Sequence, residues 1–216
     1  MKKAFAKHKY HWSQKKYRLS LLIGVSFFAL SLLVSHQAST YANIRASNYV
    51  NDILLDNLPT FDVDGILNYG VIAFSLFFIS FLFTEPKKIP FILKSLALFV
   101  VIRSVFITLT HLGPLPGQTP INPNDLLSRL ILGNDYFFSG HTGMPFLIAL
   151  ILWKNKIVRY VSIFASLLFA TSVILGHLHY SIDVFAAFFI TYSIFHIAIK
   201  AFPQDYKLSH EEENSL

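Results

Sequence analysis

Cysteine is absent from all 216 residues. Disulfides, zinc–thiolate centres and a cysteine nucleophile are therefore excluded, and cysteine usage leaves the redox compartment open. Charge is scarce as well. Only 14% of residues are Asp, Glu, Lys or Arg, whereas Phe occurs 22 times and mean hydropathy is +0.52. That is too apolar for an ordinary soluble domain. Apolar runs close to the length that crosses a bilayer, roughly 17 to 25 residues, place the chain among all-α integral membrane proteins.

Six spans are expected, both ends on one side. Residues 1–18 read as a basic tail lying on anionic lipid rather than binding nucleic acid. Leu19–Ser35 is charge-free and long for the apolar core of a signal peptide, about 7 to 15 residues, so it reads as the first span. The next are Ile66–Phe83, Phe91–Thr110 and Tyr136–Trp153, then a fifth ending near Gly176 and a sixth over Tyr180–Ile199. In the third, Lys94 can snorkel to the edge whereas Arg103 lies well inside.

Basic residues are nearly missing from one set of loops. Residues 36–65 and 111–135 hold only Arg45 and Arg129, against fourteen Lys and Arg in the tail, the 84–90 and 154–159 turns and the C-terminal stretch. The positive-inside rule then makes both termini cytoplasmic. The expected organisation is a cytoplasmic tail over 1–18, a six-helix transmembrane catalytic domain over 19–200 and a cytoplasmic tail over 201–216.

In that topology His141, at the start of span four, meets His179 and Asp183, at the start of span six, on the extracytoplasmic side. Arg103 lies in the same outer half. Such residues are costly in lipid unless paired or hydrated, so they face the bundle interior or a wet cavity. His179 and Asp183 stand four apart, which on a helix is one turn on one face. A carboxylate so placed can hold one ring nitrogen and leave the other to react. Two imidazoles, a carboxylate and an arginine suit phosphoryl transfer. One imidazole attacks phosphorus, the second protonates the leaving oxygen, and Ser139-Gly140 at a helix start presents N–H groups to phosphate oxygens. Arg103 balances the anion. No metal or cofactor is required.

Phe138-Ser-Gly-His-Thr142 and His179-Tyr-Ser-Ile-Asp-Val184 resemble the two signature motifs of the sphingomyelin synthase branch of the type 2 phosphatidic acid phosphatase superfamily. Gly133-Asn-Asp135 is similar to that branch's Cys-Gly-Asp lead-in with the first two residues changed. Arg103 to Gly117 resembles its Arg…Thr-x-Leu-Pro-x-Pro segment with two extra residues, and Leu58-Pro59 with Asp62 is weakly similar to a Leu-Pro-Asp motif. The resemblance implies His179 as nucleophile, Asp183 as its orienting carboxylate and His141 as acid/base. Arg103, Asp135, Ser139, Gly140, Thr142 and Tyr180 become the substrate-binding residues. The implied donor is a membrane phospholipid or lipid phosphate, and the acceptor is water or a lipid alcohol. The phosphatase branch carries arginines ahead of its second histidine, whereas Ser172–His177 here has none. That tilts the reading toward the synthase-like branch, with hydrolysis of phosphatidate-like or polyprenyl phosphates as the alternative.

Other readings stay open at this point. Arg103 either clamps phosphate or pairs with Asp183. Asp135 is a loop or capping residue, or contacts a head group. Arg129 reads as a solvated loop charge and His177 as loop polarity. A metalloenzyme using His141, His177, His179 and Asp183 is conceivable, as is a silent transporter or scaffold, although no internal repeat supports the latter. Small size points to a bacterial cytoplasmic membrane.

Overall fold

Helices that are apolar all round have only lipid or other helices to pack against, and the chain folds accordingly. The computed structural model describes residues 2–115 and 136–210. Eight α-helices lie among them: α1 (Lys2–Ser13), α2 (Lys15–Arg45), α3 (Asp64–Thr84), α4 (Ile89–Leu109), α5 (Gly140–Ile151), α6 (Lys156–Leu175), α7 (Ser181–Ala201) and α8 (Pro203–His210). Short 3-10 turns cover Leu55–Asn57 and Pro86–Lys88, and no strand occurs among the described residues.

Five helices, α2, α3, α4 with its leading turn, α6 and α7, are long and apolar enough to cross a membrane. The build is that of an integral membrane protein. The stretch expected as the fourth span is shorter than Tyr136–Trp153. Its helix, α5, has 12 residues, or about 18 Å against a hydrocarbon thickness of about 30 Å. Ser139 caps its start, and a turn at residues 152–154 ends it before Asn155 caps α6 through the Val158 N–H (3.1 Å). Pro145 inside α5 lacks the N–H that would bond the His141 carbonyl.

Two expectations change at the N-terminal side. Helix α2 runs to Arg45 rather than stopping at Ser35. No Gly or Pro occurs between Val25 and Leu58, so polarity alone did not end the helix. Lys94 does not snorkel. It is buried, with Nζ 2.6 Å from Asp205 Oδ2 and donating to Ser20 Oγ at 2.8 Å, while Ser20 also bonds the second Asp205 oxygen. Residues of α1 and the start of α2 fold onto the α3–α4 turn, where Lys7 pairs with Glu85 (2.9 Å) and the Tyr17 hydroxyl donates to the Pro86 carbonyl (2.9 Å).

Helices α4 to α7 form the inner group. Phe99, Phe138, Leu147 and Ile194 fill its core, and Leu67, Phe169, Val173 and Val184 extend it to α3. Outside, α2 lies on α4, where a Cβ on Gly24 would sit 3.3 Å from Leu93 Cβ. Only 11% of the most apolar window of α2 and of α3 is buried, against 44% for α4 and α6. The two outer helices thus offer most of their surface to lipid.

The α2–α3 loop and the chain after α4 pair with each other. Ser47 N–H donates to the His111 carbonyl (3.0 Å) and Gly113 N–H to the Asn48 carbonyl (3.2 Å). Phe61 N–H donates to the Leu175 carbonyl at 2.9 Å. Leu55, Leu115, Tyr136 and Tyr180 close a small apolar cluster beneath them, beside the first residues of α5 and α7.

Candidate active site

Both histidine motifs sit at helix N-termini, where four backbone N–H groups have no partner within the helix. In α5, Ser139 is the N-cap and its Oγ accepts the Thr142 N–H at 3.4 Å. Gly140 and His141 are the first two helical residues. In α7, Tyr180 is the N-cap and Asp183 lies three residues on. The Ser139 N–H donates to the Asp183 carbonyl (3.0 Å), so main chain alone ties the two helix starts together.

His179 therefore precedes α7 rather than lying on it. The one-face, one-turn placement expected for His179 and Asp183 is corrected: the pair closes around the cap. One Asp183 oxygen accepts the Tyr180 N–H (3.1 Å), completing the acidic half of a capping arrangement. The same oxygen lies 3.3 Å from His179 Nδ1. Asp183 is fully buried, and its other oxygen has no hydrogen-bond partner among the described residues.

The two imidazole rings lie 6.3 Å apart between centres at 62°. His179 is buried and His141 partly exposed. His179 also meets Tyr136 edge to face (6.3 Å), and Tyr136 in turn contacts Tyr180 (5.7 Å). The Tyr180 hydroxyl donates to the Gly113 carbonyl at 2.9 Å and accepts the Val50 N–H at 3.2 Å. It ties both loops to the start of α7, a structural place rather than an exposed one.

Arg103, on α4, donates from Nε to the Phe138 carbonyl at 3.0 Å. Its guanidinium lies against the open face of Gly140, where a Cβ would be 3.5 Å from Nε. Asp183 takes its contacts from His179, Tyr180 and Ser139, so the Arg103–Asp183 pair left open by the sequence is not formed. Thr142 is buried, its carbonyl accepting from Ser166 Oγ (2.7 Å). Asp135 and Arg129 lie outside the described residues.

Strain frames both motifs. Phe137 (φ 81°) and His177 (φ 51°) are the non-glycine residues with positive φ among those described, each two residues before a key position, Ser139 and His179. Such conformations cost of order 1–3 kcal/mol and persist where surroundings over-determine them. His177 is not loop polarity. It is buried, and its Nε2 lies 3.2 Å from the Leu58 carbonyl. The ligand quartet of the metalloenzyme reading is not gathered: among the described residues no three His, Cys, Asp or Glu side chains converge as a metal site would need.

One supporting residue escaped the sequence reading. Asp52 is buried, and its Oδ2 accepts the Ser181 N–H at 2.7 Å while Oδ1 accepts Leu54 N–H at 3.0 Å. Burial pushes its carboxyl up, but the N–H groups of Ser181, Leu54 and Leu55 outweigh that and hold it below the ordinary value. Nothing in Asn51-Asp52-Ile53 marks it out from the other loop acids.

Residues 133–200 match a family model described as PAP2 superfamily C-terminal. The matched segment contains both histidine motifs, and the match supports the type 2 phosphatidic acid phosphatase superfamily without singling out one of its branches. No curated protein and no solved structure matches the chain.

Proposed function

Taking that superfamily as premise, we propose that the chain is a membrane lipid phosphotransferase of the sphingomyelin synthase-like type, working through a phosphohistidine. The observation that carries this reading is the 6.3 Å separation of the His141 and His179 rings. A near-attack nucleophile stands about 3–3.5 Å from phosphorus, and an acid reaches its leaving oxygen at about 2.6–3.2 Å. One phosphoryl group bridging both rings satisfies the two.

The Nδ1 contact with Asp183 leaves Nε2 of His179 as the attacking atom. Its lone pair forms the N–P bond as the P–O bond to the lipid breaks, and His141 gives its proton to the departing oxygen. An acceptor hydroxyl then attacks phosphorus, His141 takes the hydroxyl proton, and the N–P bond breaks. Water and a lipid alcohol compete for the same intermediate, so hydrolysis is the alternative outcome of one site.

A place for the phosphate at α5 is supported by the occupation of the other helix start. Carboxylates of Asp183 and Asp52 take the Tyr180 and Ser181 N–H groups of α7. The first turn of α5, at Gly140 and His141 and capped by Ser139, is the better anion cradle, with Arg103 alongside. The distribution of Lys and Arg favours six passes, cytoplasmic termini and a site on the extracytoplasmic face.

The test is incubation of purified protein with head-group-labelled phosphatidylcholine, phosphatidylethanolamine or phosphatidate, with and without ceramide or diacylglycerol. Expected are transfer or release of the label, inhibition by vanadate, persistence in chelator, and label trapped on His179. Turnover with no label on any histidine would reject the mechanism.

A further inference from the structure

The segment that carries His179 is held by a distant stretch of the chain. Residues 46–63, between the two outer helices α2 and α3, contact it on both sides of that histidine. Ahead of it, the Phe61 N–H donates to the Leu175 carbonyl (2.9 Å), and His177 Nε2 lies 3.2 Å from the Leu58 carbonyl. A Cβ on Gly176 would collide with Val63. Behind it, the Val50 N–H donates to the Tyr180 hydroxyl (3.2 Å) and the Ser181 N–H to Asp52 Oδ2 (2.7 Å).

Asp52 is the carboxylate of this set. It is 7% exposed, and an ionised carboxylate is costly to bury unless hydrogen bonds hold it. Its other oxygen accepts the Leu54 N–H at 3.0 Å, which fixes the carboxylate within its own loop. Helix α7 does not need a second acid as its cap, because Asp183 already accepts the Tyr180 N–H. What Asp52 adds is a short, charge-assisted bond from the start of α7 to a loop 129 residues earlier in the chain. His179 stands two residues before that bond, and its own contact with Asp183 is long at 3.3 Å. The direction of the imidazole therefore depends on where the main chain at Tyr180 and Ser181 is set.

We propose that Asp52 is a positioning residue for His179: by accepting the Ser181 N–H it sets the start of α7 so that the imidazole faces the phosphorus. The assignment rests on the phosphotransfer reading above and adds to it a residue outside both histidine motifs. Asp52 touches neither the substrate nor the reacting atoms, so it acts on kcat. The phosphate contacts at the start of α5 and Arg103 stay in place without it, and KM is unaffected.

Two variants break the same bond from opposite ends. D52N removes the charge and one of the two acceptor oxygens. S181P removes the N–H, and the position accepts proline. Ser181 is the first residue of α7, and Tyr180 before it has φ −63° and ψ 152°, a conformation that suits the residue ahead of proline. The full chain in lipid nanodiscs is assayed with the head-group-labelled lipids named above, below the unfolding temperature of each variant. Each single variant is expected to lower kcat about 10- to 100-fold, with KM within about twofold of wild type, as for a nucleophile misplaced by up to about 1 Å. D52N/S181P loses no more than the larger single loss, since both changes act on one bond. D56N, at an exposed acid of the same loop, keeps wild-type kcat. Wild-type kcat in D52N or S181P, a rise in KM in place of the fall in kcat, additive losses in the double variant, or an equal loss in D56N each overturns the proposal. If D52N does not fold, S181P alone decides. A wild type without turnover on any of these lipids rejects the phosphotransfer reading and this assignment with it, whereas an active wild type with equally active variants rejects the assignment alone.

Discussion

The backbone N–H of Ser139 donates to the backbone carbonyl of Asp183 at 3.0 Å. That bond ties the cap of α5 to the first turn of α7, next to His141 and His179, whose rings are 6.3 Å apart. Such positioning matters to the proposed chemistry because an error of about 1 Å can cost 10²-fold in rate.

The first prediction concerns the proposed chemistry. H179A removes the nucleophile and is expected to fall to background. H141A and D183N each lose about 10²–10⁴-fold in kcat, the usual worth of a positioned acid or base. R103A, which frees the Phe138 carbonyl beside Gly140, acts mainly on KM, by roughly 10- to 100-fold, the worth of a hydrogen bond to a charged group. Circular dichroism of each variant checks that the helices survive. Near-normal turnover by H179A would remove the nucleophile assignment.

Two glycines separate packing from conformational freedom. A Cβ on Gly143 would lie 2.7 Å from the Phe99 ring and 2.8 Å from Thr191 Oγ1, whereas nothing lies within 4 Å of one on Gly65. G143A is expected to destabilise by about 1–3 kcal/mol. G65A, in the first turn of α3, is neutral or stabilising by up to about 1 kcal/mol. Thermal unfolding in detergent reads both, and equal effects at the two positions would contradict the packing described.

Asp52 is expected to make stability pH-dependent. Its carboxyl is held below the ordinary value in the folded chain, so the unfolded chain binds the proton first as pH falls. Its contribution is then complete above the unfolded pKa of about 3.9 and is lost as pH drops through the lower folded value. The unfolding temperature of D52N should lie below wild type at pH 6, with the gap closing toward pH 3. A gap that stays constant over that range would show that Asp52 acts by shape rather than charge.

The buried Lys94–Asp205 pair gives a test of a different kind. K94A leaves Asp205 buried opposite no ammonium and is expected to cost about 3–5 kcal/mol. K94M/D205L, which removes both charges together, recovers most of that loss. If the double variant is as unstable as the single one, the ion pair is not what stabilises the junction of α2, α4 and α8.

Much of this protein is determined by its sequence read as a line. Long, charge-poor apolar runs dictate helices in lipid, because a helix satisfies its own backbone within one segment. The residues His141, His179 and Asp183 stand out as ionisable groups next to apolar runs. Helix ends were less legible. Residues 36–45 look like a loop because they are polar, yet without Gly or Pro they continue α2. Asp52 and the His177–Leu58 contact could not be read at all, since their partners lie 129 and 119 residues away in the chain. Tertiary structure alone decided that the Ser139 N–H meets the Asp183 carbonyl, and that Lys94 meets Asp205 instead of water. The reason is common to both. Local spacing says which groups can be neighbours on one element, whereas burial forces each polar group to find whichever partner the packing of other elements brings within about 3 Å.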